Sequence, residues 1–497
     1  MQSKTIEKFI YYYPLWGVYR AIFMDDWVIK WLDEQRRKGI KRLEIKQEHN
    51  AYYVYDSTTY WDKTDKKRKK HSTYIGKLDR ELGLIESKRP VKSKIFPRNV
   101  WRYGDALLIN KAMVDIVPTL KESFGDIWEE MYAMAAVRIM GYVPLKRIKS
   151  RWEKLYNELK INPRLDPAYL SEILRYVGVD RDGQNRVFKI LIKGEQYAYD
   201  LSAIFTRSTM NIANYGYNKW MEHIKQLNLI LMVSIEDHLP TMVRVVPGSV
   251  RDVSTLKITM SDQDINKIKM VLDRGFYSEE NIDAMIKSGI KFIQPARRNS
   301  IYYKEAGIPE NNHFFYRGRL IKSGKKVVEG KILYVYEDTK LREEEENTLY
   351  RELDEGKISK EELEIEMNKA GKILIVSNID SEGVEIYNMY KERDEIEQQF
   401  DTYKNTLHAD IMYLQDDETV FGHVFISFLT LYGYSKIQNM LREARLLNKV
   451  SPLDVIEELS CVYAISDGEK EIITEVPKKA RILDEKLKTN LFPKIKS

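Results

Sequence analysis

Apolar and polar residues change their period several times along the chain, and each change marks a segment. Residues 1 to about 45 are charged and read as helical, as in DDWVIKWLDEQRRKGIKRLEI. Residues 51–79 alternate aromatic, β-branched and polar types, which predicts strands over Ala51–Trp61 and Ser72–Leu78. The basic stretch between them would be the positive tip of a β-hairpin. From 104 to 178 the apolar spacing is helical, as in DIWEEMYAMAAVRIMGYV and SEILRYVGV, and predicts an all-helical module.

Near residue 187 strand patterns take over. RVFKILIKGEQYAYDLS reads as a strand ending in Asp200, and residues 227–237 and 239–248 as two more joined by a short turn. A short apolar strand, Ile268–Leu272, is closed by Asp273. SEENIDAMIKSG reads as a helix with Ser278 as N-cap and Gly289 at its end. IKFIQPA is the next strand. Residues 298–372 break this rhythm with hairpin strands and a charged helical stretch, and are expected to be an insertion. Alternation resumes at KILIVSNI, followed by a helix from about Glu385.

Length and composition narrow the class. A chain of 497 residues calls for two to four domains. The expected division is 1–100, a helix and basic hairpin; 101–185, the helical module; 186–440, a catalytic domain with its insertion; and 441–497, a helical tail and candidate dimerisation segment. No apolar run reaches the ~18 residues of a membrane span, and no signal peptide is apparent, so a cytoplasmic location is expected. Cys461 is the only cysteine, which excludes an internal disulfide and a cysteine zinc site. The net charge of +6 permits a polyanionic partner. The positive charge clusters at Lys66, Lys67, Arg68, Lys69 and Lys70 and again over residues 88–94; a basic run is most often a solvated loop, but two of them before a carboxylate site raise the odds of phosphate contact.

The element order, three antiparallel-looking strands and then helix, strand, helix, strand, resembles an α/β fold of the RNase-H-like type. Such a fold places one carboxylate on its first strand, one at the end of the fourth and one on a later helix. Asp200, Asp273 and Glu397 occupy those places in order. Phosphoryl transfer on DNA needs charge stabilisation on both attacking and leaving oxygens, which two Mg²⁺ ions about 4 Å apart supply, and Mg²⁺ prefers oxygen ligands. The Glu397 segment is YNMYKERDEIEQQFDTYKN. In one continuous helix Tyr390, Arg393, Glu397 and Lys404 would fall within a stripe of about 60°. Met389, Ile396, Phe400, Tyr403 and Leu407 would form the apolar stripe beside it. The plainer reading is a surface helix with an Arg–Glu pair at i, i+4.

The Tyr-x2-Arg-x3-Glu-x6-Lys pattern of Tyr390, Arg393, Glu397 and Lys404 is similar to the signature of DDE transposases of prokaryotic insertion sequences. LDRGFYSEENI, VPGSVRDVSTL, FGHVFISFLTL and YWDKTDKKRKKHSTYIGKLDRELG resemble other blocks of that family, so the resemblance spans roughly residues 50–440. It implies that Asp200, Asp273 and Glu397 bind two Mg²⁺ (or Mn²⁺) ions. Arg393, Lys404 and Tyr390 would contact DNA near the scissile phosphate. Double-stranded DNA, both terminal inverted repeats and target, would be the partner, held by a homodimer. The chain departs from the pattern after Asp200, where Leu201-Ser202-Ala203 keeps only one of the usual hydroxyl residues. This keeps two alternatives open: a catalytically impaired DNA-binding descendant, and a nuclease without strand transfer. Asp56 in VYDSTTYWD imitates the first-aspartate motif but lies in the hairpin region. Asp252 suits a helix N-cap better than a metal. His423 is expected to be a hydrogen-bonded core or DNA-facing residue, and Trp61 and Trp101 packing residues.

Overall fold

The computed structural model describes residues 24–40, 42–49, 51–62, 67–86, 97–206, 210–217, 223–249, 268–305, 312–410 and 414–493. They fall into two compact units, one on either side of residue 95.

In the first unit, α1 (Asp26–Arg37) lies on an antiparallel sheet ordered β1 (Leu43–Glu48), β2 (Ala51–Asp62), β3 (Lys67–Asp79), β4 (Gly83–Glu86). Val28 and Leu32, one helical turn apart, are buried with Ile45, Tyr52, Val54 and Leu78. Two expectations need correction. Residues 43–48 are strand, because Leu43 and Ile45 alternate inward against β2. The basic run is not a loop either. β3 starts at Lys67, and Lys67, Arg68, Lys69 and Lys70 pair across from Asp62, Trp61, Tyr60 and Thr59. β1 reaches only as far as Asp56 and β4 pairs only with Gly76–Asp79. Residues 57–62 and 67–72 therefore run on as a two-stranded ribbon.

The second unit opens with β5 (Asn99–Arg102) and the helices α2 (Gly104–Met113), α3 (Val117–Phe124), α4 (Trp128–Arg138), α5 (Leu145–Trp152), α6 (Pro167–Val179) and α7 (Arg181–Leu191). α7 covers residues expected to be strand. Asp180 caps it by accepting from Gly183 N at 2.9 Å, and Gly183, Gln184, Val187 and Phe188 bury one helical face.

A ten-stranded sheet follows. Its strands are β6 (Gln196–Phe205), β7 (Asn214–Tyr217), β8 (His223–Ser234), β9 (Pro240–Pro247), β10 (Lys269–Leu272), β11 (Lys291–Pro295), β12 (Asn312–Tyr316), β13 (Arg319–Val328), β14 (Lys331–Asp338) and β15 (Lys372–Ser377). β9, β8 and β6 are antiparallel neighbours, and β6, β10 and β11 run parallel. β15 then pairs antiparallel with β11, and β14, β13 and β12 continue outward. The hairpin strands within 298–372 thus extend the central sheet, and KILIVS closes that extension. Among the described residues between β10 and β15, the α-helices are α8 (Glu279–Lys287), α9 (Ile301–Glu305), α10 (Thr339–Asp354) and α11 (Lys360–Met367). Ser278 caps α8 by accepting from Asn281 N at 3.1 Å.

After β15 come α12 (Gly383–Glu392), α13 (Asp394–Asp401), a π-helical turn (Thr402–Thr406) and the long α14 (Asp417–Glu443). Most of α14 is buried, with Val424 to Leu429 inside on every face. α6 crosses it closely enough that a Cβ on Gly178 or on Gly422 would stand 1.8 Å from a backbone carbonyl oxygen of the other helix. The tail holds α15 (Pro452–Leu459), β16 (Tyr463–Ser466), β17 (Glu471–Ile473) and α16 (Lys478–Leu487). It is not wholly helical: β17, β16 and β5 form a small antiparallel sheet. One hydrophobic core runs from Ala106 to Phe492, so the helical segment, the sheet and the tail pack together.

Candidate active site

The parallel register of β6 and β10 sets the first two carboxylates side by side. Tyr199 pairs with Leu272, the last residue of β10. One step further along each strand stand Asp200 and Asp273. Asp200 is therefore in mid-strand, not at a strand end as expected, and Asp273 begins the turn that leaves β10. Asp273 Oδ2 accepts from Gly275 N at 3.2 Å. Its backbone carbonyl accepts from Nε2 of Gln294 at 2.6 Å, and Gln294 is fully buried in β11.

The third carboxylate arrives through Arg393. This guanidinium donates to Asp273 Oδ1 at 2.8 Å and to Glu397 Oε1 at 2.7 Å. It is only 13% exposed, whereas Glu397 is 59% exposed. Ile396 and Phe400, on the adjoining face of α13, are buried. Burial pushes the Asp200 carboxyl up to about 7; the charges of Asp273 and Glu397 add to the rise and Arg393 opposes it. Three carboxylates thus share one cation.

The expected single helical stripe does not persist. The chain passes from α12 to α13 at Arg393, and Lys404 sits in the π-helical turn. A wider turn rotates Lys404 off the 100° progression. Its Nζ donates to Ser202 Oγ at 2.7 Å and to the Ala203 carbonyl at 2.6 Å, tying this turn to β6. Tyr390 is half-buried beside the apolar core, and burial raises its hydroxyl pKa. Arg393, Lys404 and Tyr390 are thus all engaged within the protein. Gln294 and Ser202 were missed as site residues. A glutamine in the apolar run IKFIQPA was the available signal for the first; the second is the one hydroxyl kept just after Asp200.

The remaining candidates lie elsewhere. Lys67, Arg68, Lys69 and Lys70 are on the ribbon of the first unit, where Lys69 pairs with Asp62 at 2.5 Å and Lys70 with Glu44 at 2.6 Å. Trp61 is 59% exposed, so its expected packing role is incorrect. Trp101 does pack, edge-on to Tyr156. Asp56 is exposed on β2. Lys66, residues 88–94 and Asp252 lie outside the described residues. His423 is a core residue, hydrogen-bonded to the Ala409 carbonyl at 3.1 Å. Among the described residues, no group of three or more His, Cys, Asp or Glu side chains stands arranged to hold a metal ion. No described helix is long and apolar enough to cross a membrane.

None of the curated protein sequences matches the chain. Among solved structures, a piggyBac transposase synaptic complex with hairpin DNA, seen by cryo-EM, is similar over 79% of this chain and 86% of that one. The identity is 13% and the TM-score 0.37, a likeness too slight to bear on function. Residues 200–432 match the family described as "Transposase DDE domain", and the match begins at Asp200 itself. Over those residues the chain is similar to the transposases that carry a DDE domain.

Proposed function

We propose that this chain is the transposase of a prokaryotic insertion sequence, cutting and joining double-stranded DNA with Asp200, Asp273 and Glu397 as its metal ligands. The observation that carries the reading is the meeting of three carboxylates, from β6, the end of β10 and α13, around the single guanidinium of Arg393. The strand order β9-β8-β6-β10-β11 supports it, since three antiparallel strands followed by two parallel ones is the order of an RNase-H-like domain.

The donor set fits hard divalent ions. Carboxylate oxygens suit Mg²⁺ or Mn²⁺, and Asp200, raised first by burial and further by the charges of Asp273 and Glu397, stands among acids that a bound cation would offset. When bound, two such ions would activate the attacking oxygen and stabilise the leaving one. The chain's own residues do the positioning. Gln294 holds the Asp273 backbone, and Lys404 pins the segment after Glu397 to the strand bearing Asp200. Arg393 is the cation between two of the residues that would hold the ions, and with ions in place it would be the group available to a DNA phosphate. The basic ribbon of the first unit supplies further backbone contact. Joining two ends of one element calls for two copies of the chain.

The test is incubation of the purified chain with duplex DNA carrying the ends that flank its gene. Strand breaks leaving 3′-hydroxyl ends, dependent on Mg²⁺ or Mn²⁺ and followed by joining to target DNA, are expected. Cleavage without joining at any DNA concentration would favour the nuclease, and no cleavage with bound DNA the impaired descendant.

A further inference from the structure

Apart from the carboxylate cluster, one place in the second unit gathers cations with no acid among them. Arg102 at the end of β5, the turn before α5, α5 itself and Lys154 just after it enclose a cavity of about 300 Å³. Arg102, Arg147, Arg151, Lys154, Ser150 and Tyr142 line it, and no carboxylate does. Arg102 pairs with the fully buried Asp105. Among the described residues, the side chains of Arg147, Arg151 and Lys154 have no hydrogen-bond or ion-pair partner. The neighbouring Glu153 pairs with Lys149 at 3.9 Å and does not line the cavity.

Physical chemistry makes this arrangement unfavourable in isolation. Arg147 and Arg151 are i, i+4 neighbours, a spacing at which like charges destabilise a helix. α5 reads LKRIKSRW, buries only Ile148 and contains no acid. An anion in the cavity would offset the repulsion. Two guanidinium groups and a lysine on one lining match the tetrahedral oxygens of a phosphate, which arginine can hold in pairs of parallel bonds. The cationic face continues past the cavity at Lys146, which is exposed. That suits a string of phosphates better than a single ion.

We infer that this cavity holds a backbone phosphate of a DNA strand, which makes α5 the DNA-gripping helix of the segment before the sheet. The inference rests on the proposed action on DNA and names a surface for it outside the carboxylate cluster.

The test compares three full-length chains: the unchanged protein, the double variant Arg147→Gln with Arg151→Gln, and a control with the same charge loss, Lys340→Gln with Lys360→Gln. Duplex binding is measured by fluorescence anisotropy across a salt series. Each lost phosphate contact removes about 0.9 from the slope of log affinity against log salt. The double variant should therefore show a slope shallower by about 2, with the control unchanged and the melting temperature of the double variant equal or higher. A double variant that keeps the full slope overturns the inference. So does a variant that binds DNA normally but loses a thermal stabilisation by inorganic pyrophosphate seen in the unchanged chain, since the ligand would then be a small phosphate. If the unchanged chain shows no salt-dependent duplex binding, the transposase reading fails with it.

Discussion

Nη1 of Arg393 donates to Oδ1 of Asp273 at 2.8 Å, joining positions 120 apart in the chain. Its second nitrogen holds Glu397 on the same helical segment, so one side chain sets the distance between carboxylates that begin on a strand end and on a helix. Asp200→Asn, Asp273→Asn and Glu397→Gln should each lower divalent-metal-dependent DNA cleavage by roughly a thousandfold or more, since metal stabilisation of a transition state is worth several kcal/mol. Duplex binding at low salt should survive in all three. Cleavage near the unchanged rate in any one removes that residue from the site.

Lys404 works inside the protein through Ser202. A double-mutant cycle of Lys404→Met and Ser202→Ala, read by chemical denaturation, should give a coupling energy on the order of 1 kcal/mol. Zero coupling would falsify the tie between the π-helical turn and β6. Loss of DNA affinity without loss of stability would restore Lys404 as a phosphate contact.

The ribbon should divide into stronger and weaker cations. Lys69 and Lys70 already face Asp62 and Glu44, whereas Arg68 stands across from the exposed Trp61. Arg68→Gln should make the salt dependence of DNA binding shallower by about 1, and Trp61→Ala should weaken binding without shifting the melting temperature. Lys70→Gln should do less, because the lysine leaves an ion pair to meet DNA. Equal effects at Arg68 and Lys70 would contradict this.

α6 and α14 touch through glycine. A Cβ on Gly178 or Gly422 would meet backbone, which cannot rotate away. Gly178→Ala and Gly422→Ala should each cost about 2 kcal/mol or more, the upper part of the range for overpacked cores. Gly356→Ala is a useful contrast: nothing lies within 4 Å there and its φ is +70°, so only backbone strain applies. Gly178 or Gly422 variants melting with the unchanged protein would mean the helices are further apart.

Acid should unfold the second unit through His423. Burial, with the nearby charge of Arg138, pushes this imidazole down to about 3. The folded chain therefore keeps it neutral while the unfolded chain takes up a proton near pH 6.5. Stability is unaffected by this residue above that pH. It falls between pH 6.5 and 3 with a slope of up to about 1.4 kcal/mol per pH unit. Melting temperatures across that window should fall less steeply for His423→Gln than for the unchanged chain, whatever the offset between them. Parallel curves would place the proton elsewhere.

Much of this protein is local physics and could be read from residue order. Short, nearly continuous apolar runs separated by a turn mark β8 and β9, and an N-cap serine with first-turn acids marks α8. The apolar stripe Met389, Ile396, Phe400, Tyr403 and Leu407 is buried throughout, and Arg393 meets Glu397 at i, i+4, because both follow from the pitch of a helix. Local pattern misleads where two periods fit equally well. Val187 and Phe188 suit a buried strand as readily as a helix face, and only packing in the common core made them α7. Leu43 and Ile45 became strand because β2 offered an edge to pair with. Other features depend on partners distant in sequence. The register of β6 against β10 put Asp200 beside Asp273, Gln294 came to hold the Asp273 backbone from the next strand, and the π-helical turn sent Lys404 to Ser202. No residue type encodes such contacts, since they depend on which strands become neighbours. The cation-lined cavity at α5 has the same origin, for the charges of LKRIKSRW are plain in the sequence, while Arg102 and Lys154 join them only through the fold.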